Sequence, residues 1–166
     1  MKKRRTNRGN AMVEFVMATI PTLFCLMGVV EISRIMYSYD SMANAVRLTA
    51  RYAVVHGLDC TQGSNTCSTT VGSIAQYMVN AGPALPASSI SLTLTSTSGS
   101  TTCVLSACLT NTTAWPSGTS ATPGNAITVS ATSPMKTTLT MFVPGSGVTR
   151  FTNPNIQASS KQVIQF

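Results

Sequence analysis

Acidic side chains are nearly missing from this chain. Four of its 166 residues are Asp or Glu, and none follows Asp59. A tail of that kind holds no carboxylate pair for general acid–base work. Histidine is scarcer still: His56 is the single one, with Asp59 its nearest carboxylate along the chain. No nucleophile elbow and no Gly-rich phosphate loop accompanies the pair, and the dipole at a helix C-terminus accounts for His56. The residues therefore predict no enzymatic activity and no cofactor. Aromatic residues amount to 6% and do not interleave with a basic stripe, which argues against a nucleic-acid partner.

The positive charge that is present is concentrated at one end. Lys2, Lys3, Arg4, Arg5 and Arg8 precede Gly9 and supply five of the seven net charges. Residues 11–30 follow, apolar except for Glu14, Thr19 and Thr22. Twenty such residues make about 30 Å of helix, the thickness of a bilayer core. A basic cluster before such a run holds that end in the cytoplasm. Pro21, inside the run, predicts a kinked membrane helix rather than a broken one. Glu14 is the informative residue, because a charge at mid-bilayer costs roughly 2.5–3.5 kcal/mol on insertion scales and is kept for a purpose. The order Gly9-Asn10-Ala11-Met12-Val13-Glu14-Phe15 suggests a segment cut after Gly9, with Glu14 left one helical turn from a new amino terminus. A removable signal peptide fits less well. The small-x-small sequence Ala43-Asn44-Ala45 lies a dozen residues past the apolar run, beyond Glu31, Arg34 and Asp40, whereas signal peptidase cuts directly after it. Phe24 excludes a lipoprotein site at Cys25, which reads as a small apolar residue.

Past Glu31 the helical pattern continues without a stop. Ile32, Ile35, Met36, Tyr39, Met42, Ala43, Val46, Ala50 and Ala53 recur at three- and four-residue steps as an amphipathic stripe, and Gly57 is a plausible C-cap. One rod over residues 10–57, about 70 Å long, is expected, with its stripe packed on the chain's own tail or on other subunits. Residues 71–80 predict a short helix ended by Gly82-Pro83. Residues 90–95 and 126–130 alternate as strands, and residues 155–166 read as a last strand. Residues 96–125 read mainly as loop, and residues 139–143 fit helix or strand equally. A long helix followed by a small antiparallel sheet is an α+β fold. The tail holds Cys60, Cys67, Cys103 and Cys108, an even set that suggests two disulfides in an oxidising compartment. Cys60–Cys67 and Cys103–Cys108 are the favoured pairs of the three possible pairings. The first spacing misses the usual zinc pattern, so no metal is expected.

Gly9 to Glu14, the proline in the apolar run, the segment Glu31-Ile32-Ser33-Arg34-Ile35-Met36-Tyr37, and the stretch from Ala43 to Val55 together resemble the TadE-like family. These are pilin-like minor subunits of the tight-adherence (Tad) type IV pilus. The resemblance covers residues 8–57 closely and the tail in general style. It implies a pilin-like fold and cleavage between Gly9 and Asn10 by an inner-membrane prepilin peptidase. It also implies a periplasmic or extracellular β-rich domain at 58–166, and partnership with pilin subunits and the inner-membrane assembly platform. The implied function is assembly of, or adhesion by, the pilus. Type IV pilins often begin with Phe after cleavage, whereas this chain, so cleaved, would begin with Asn10. Two other readings share some of the same features: a permanently anchored single-pass envelope protein with a binding tail, and a pseudopilin of a type II secretion system.

Overall fold

The computed structural model describes residues 8–56, 61–62, 65–66, 69–83, 86–135 and 155–164. One helix, α1 (Arg8–Val55), runs 48 residues without interruption at Pro21. At 1.5 Å per residue it is about 72 Å long, more than twice the roughly 30 Å diameter of a small domain. The anticipated cap, Gly57, lies outside the described residues. Two ribbon strands, β1 (Thr61–Gln62) and β2 (Asn65–Thr66), pair antiparallel, and helix α2 (Val71–Ala81) follows them. The start of α2 is fixed by reciprocal bonds: the Ser73 amide donates to the Thr70 hydroxyl at 3.1 Å, and the Thr70 amide donates to the Ser73 hydroxyl at 2.9 Å. Such a box satisfies two of the orphan donors that every helix start leaves open. Gly82 closes the other end by donating to the Met78 carbonyl.

The remaining strands form one antiparallel sheet. Its members are β3 (Ser91–Ser96), β4 (Gly99–Val104), β5 (Ala126–Pro134) and β6 (Asn155–Val163), in the order β4-β3-β5-β6. A one-turn helix, α3 (Leu105–Cys108), leaves β4. Period-two alternation sends Leu92, Leu94, Ile127, Val129, Ala131, Ile156 and Ala158 to one buried face. Direct cross-strand partners on that face include Leu92 with Ala131 and Leu94 with Val129. Each fully buried Leu or Ile contributes about 1.5–3 kcal/mol relative to exposure, so this face dominates the headpiece's stability. The upper half of α1 lies on β5 and β6, and α2 packs on α1 beside them.

Two expectations change. First, residues 96–125 are more ordered than a loop reading allows. Thr97 and Ser98 form a two-residue turn between Ser96 and Gly99, where Gly99 takes a positive φ of 147°. β4 then pairs as an edge strand, with Thr102 and Thr93 hydroxyls 3.0 Å apart on the outer face. An edge strand with one wet face needs no apolar alternation, so the Ser/Thr-rich sequence concealed it. Second, the stripe on α1 is rotated near the membrane end. Met42, Val46, Ala50 and Ala53 are buried, but Ile32, Met36 and Tyr39 face outward. The packed face instead runs through Glu31, Ile35, Ser38, Met42, Ala45 and Thr49. Alternating four- and three-residue steps mark it as a near-heptad seam. Thr49 is tolerated there because its hydroxyl donates to the Ala45 carbonyl at 2.7 Å.

α2 approaches the turn after α3 at Gly72. Its amide donates to the Asn111 carbonyl at 2.8 Å, and a Cβ at this position would meet the Leu109 and Asn111 carbonyl oxygens at 2.8 and 2.9 Å. Both obstacles are backbone and cannot rotate away. Gly72→Ala is expected to lower stability by about 1–3 kcal/mol, read as a drop in the thermal midpoint by circular dichroism, despite the better helix propensity of Ala.

Candidate functional site

The two halves of α1 have opposite surroundings. From Ala11 to Val30 no residue is fully buried; Met12 is 76% exposed and Phe15 72% exposed. Among the described residues α1 is the one helix long and apolar enough to cross a membrane, and 6% of its apolar window is buried. The core helix of a water-soluble domain would be mostly covered. This one projects bare from the headpiece, as a hydrocarbon-facing segment must.

Its polar atoms are handled accordingly. Thr19 donates to the Phe15 carbonyl and Thr22 to the Ala18 carbonyl, both at 2.7 Å. These bonds flank Pro21, whose ring nitrogen has no hydrogen to give the turn before it. In hydrocarbon, internal satisfaction of this kind is what permits a hydroxyl or a proline. Glu14 is exposed on the same segment, one turn and about 6 Å of rise beyond Asn10. Gly9 and Asn10 belong to the first turn of α1. Cys25 is a free, exposed thiol on the apolar surface.

At the far end of α1 the rod is clamped into the headpiece. Tyr52 stacks on His56 with ring centroids 4.3 Å apart and on Tyr77 of α2 at 4.4 Å. The Thr69 hydroxyl lies 3.0 Å from the His56 carbonyl oxygen and 2.6 Å from that of Trp115. Its single proton serves the shorter contact. The Trp115 amide returns a bond to Thr69 at 3.0 Å. His56 is therefore a stacking and terminating residue, and Asp59 lies outside the described residues. Among the described residues no cluster of three His, Cys, Asp or Glu side chains could hold a metal ion. Cys103 and Cys108 form a disulfide that ties β4 to α3. Cys60 and Cys67 lie outside the described residues.

Against known proteins, residues 9–51 match the family model described as TadE-like protein. Over this segment the chain is similar to TadE-like proteins. The match takes in Gly9, Asn10, Glu14, Pro21 and nearly all of α1, and it ends before α2 and the sheet. The TadE-like family is a structural one, of subunits associated with the Tad pilus. No curated protein and no solved structure matches the chain significantly.

The structure adds residues that composition did not single out. Glu31 is 6% exposed at the point where the TadE-like helix leaves its apolar half, and it is engaged there. The heptad spacing of Glu31 with Ile35, Ser38 and Met42 was the available signal. Trp115 is buried with its indole nitrogen lacking a hydrogen-bond partner among the described residues; no local sequence pattern marks it. Reduction and alkylation of the Cys103–Cys108 bond should lower stability by about 2 kcal/mol on the chain-entropy estimate for so short a loop. The readout is the urea midpoint of the full chain in detergent, and the TadE-like helix should keep its far-ultraviolet signal at the start of the titration.

Proposed function

We propose that the chain is a minor subunit of a Tad type IV pilus, cleaved by a prepilin peptidase between Gly9 and Asn10. The bare apolar half of α1, coinciding with the TadE-like match over residues 9–51, carries this reading. The basic leader, residues 1–9, stays in the cytoplasm and is removed. Residues 11–30 cross the bacterial inner membrane once, and residues 58–166 form the periplasmic part, which reaches the outside if the subunit enters the fibre. The partners are the peptidase, the pilin subunits and the membrane assembly platform. Adhesion by the assembled pilus is the expected use.

The chemistry at the start of α1 supplies a mechanism. Cleavage removes the five positive side chains of the leader and creates a protonated amine on Asn10. Within one chain that amine sits one turn from Glu14, and between stacked chains the carboxylate of one can meet the amine of the next. Two unit charges 4 Å apart attract by about 1 kcal/mol in water and about 4 kcal/mol at an effective dielectric of 20. Desolvation offsets much of this, so the pair sets axial register more than it adds strength. Before cleavage neither the amine nor the freedom to leave the bilayer exists, which makes processing the switch for assembly.

Mass spectrometry of the endogenous N-terminus decides between the two main structural classes. A mature chain starting at Asn10 in cells with an active prepilin peptidase is the expected outcome. An intact leader under those conditions would establish a permanently anchored envelope protein instead. Glu14→Ala should leave membrane insertion unchanged and reduce pilus incorporation at least tenfold, measured by immunoblotting of sheared fibres. Co-purification with a secretion apparatus rather than with pilins would reassign the chain as a type II pseudopilin.

A further inference from the structure

The sheet does not close flush on α1. Where the helix emerges from its apolar half, a cavity of about 510 Å³ opens between α1, the turn at residues 86–89 and the ends of β5 and β6. Its polar lining is Arg34, Tyr37, Ser38, Ser88, Ser89 and Ser133. Ser133 is 3% exposed, yet neither it nor Arg34, Tyr37, Ser38 or Ser88 makes a side-chain hydrogen bond among the described residues. Arg34, Tyr37 and Ser88 are exposed and Ser38 is half-buried, so these donors stand open to solvent around the mouth of the cavity and are available to a polar guest. Of the acidic residues described, Glu14, Glu31 and Asp40, none lines the cavity. Arg34 is the one charged residue of the lining, and Glu31, the nearest described carboxylate along α1, lies about one turn below it and is itself engaged. Met135 and Ile156 add an apolar side that a bare inorganic anion leaves unfilled.

We infer that this cavity binds a phosphate ester, with the Arg34 guanidinium on the phosphoryl oxygens and the Ser133 and Ser38 hydroxyls donating to them. Arg presents a planar fork that matches phosphate bidentately, and hydroxyls complete such a shell. Position favours a phospholipid headgroup as the source. Arg34 stands four residues, about 6 Å, beyond Val30, and the headgroup layer on each side of the hydrocarbon is about 5–7 Å deep. Tyr37 follows at the depth where aromatic residues gather at membrane interfaces. The headpiece thereby grips the outer leaflet of the membrane that α1 crosses. This placement rests on the anchored-helix reading above; the phosphate-ester chemistry of the cavity does not.

The test uses the full chain in detergent, with native mass spectrometry reading the ligands retained. The probes are phosphatidylglycerol, phosphatidylcholine and soluble glycerol 3-phosphate. Phosphatidylglycerol should be retained about tenfold better than phosphatidylcholine, and Arg34→Gln and Ser133→Ala should each remove that preference, the loss expected for a charged hydrogen bond. Arg47→Gln, an exposed change higher on α1, should leave it intact. Glycerol 3-phosphate bound as well as the lipid, and lost in Arg34→Gln, also supports the site and assigns it to soluble esters. Equal retention of the two lipids with no glycerol 3-phosphate bound, or a preference untouched by both cavity substitutions, overturns the inference. Circular dichroism establishes that each variant is folded. Vesicle flotation of the unaltered chain is a separate arm: failure to float removes the anchor, while glycerol 3-phosphate binding still reports on the cavity.

Discussion

A single helix here carries two kinds of surface, and the rest of the structure follows from where it changes from one to the other. Up to Val30, α1 offers apolar side chains in every direction, as a segment surrounded by hydrocarbon can. From Glu31 onward it must hide one face and wet the other. The four-stranded sheet and α2 exist largely to cover that face, with Met42, Ala45, Val46, Thr49, Ala50 and Ala53 at zero exposure. Small residues dominate the upper seam, so the sheet and α2 can approach the helix backbone closely. Removing the sheet would strand an apolar seam in water and leave the inner faces of β3, β5 and β6 uncovered.

The helical half of the molecule was legible because its signals are long. A basic cluster, twenty apolar residues and a helical period sustained to Ala53 each average over many positions, and none depends on a distant partner. The strands were legible where both faces differ, as at Leu92 and Leu94 or Ile127 and Val129. Legibility failed at β4, whose Gly-Ser-Thr-Thr-Cys-Val sequence pairs by backbone and hydroxyl bonds alone. It failed as well at Ile32, Met36 and Tyr39, which satisfy the period but sit on the wrong side of the seam. Periodicity states that a face is apolar; it does not state which of two neighbouring apolar faces the sheet will choose. Ser133 and Arg34 come together only through the register of β5 against the helix, which no local window contains.

Similarity is distributed in the same uneven way. The TadE-like match covers the rod from Gly9 to Arg51 and stops where the headpiece begins. On the proposed reading, a helix that is cut, crosses a bilayer and stacks in a fibre would be constrained at almost every turn. The headpiece has to bury its seam and little else, and many sequences rich in Ser and Thr can do that. Function tied to assembly is therefore read from α1, while anything particular to this subunit belongs to the sheet and its cavity.

The strand that lies beside β5 and closes against α1 is β6, which begins a hundred residues after α1 ends. Pairings that span so much chain form slowly, because loop closure has to precede any gain from contact. Until Asn155 is in place the seam on α1 lacks the strand that covers it. The fold is therefore complete only when the last described strand docks, so the stability of the N-terminal rod's upper half depends on the chain's C-terminal end.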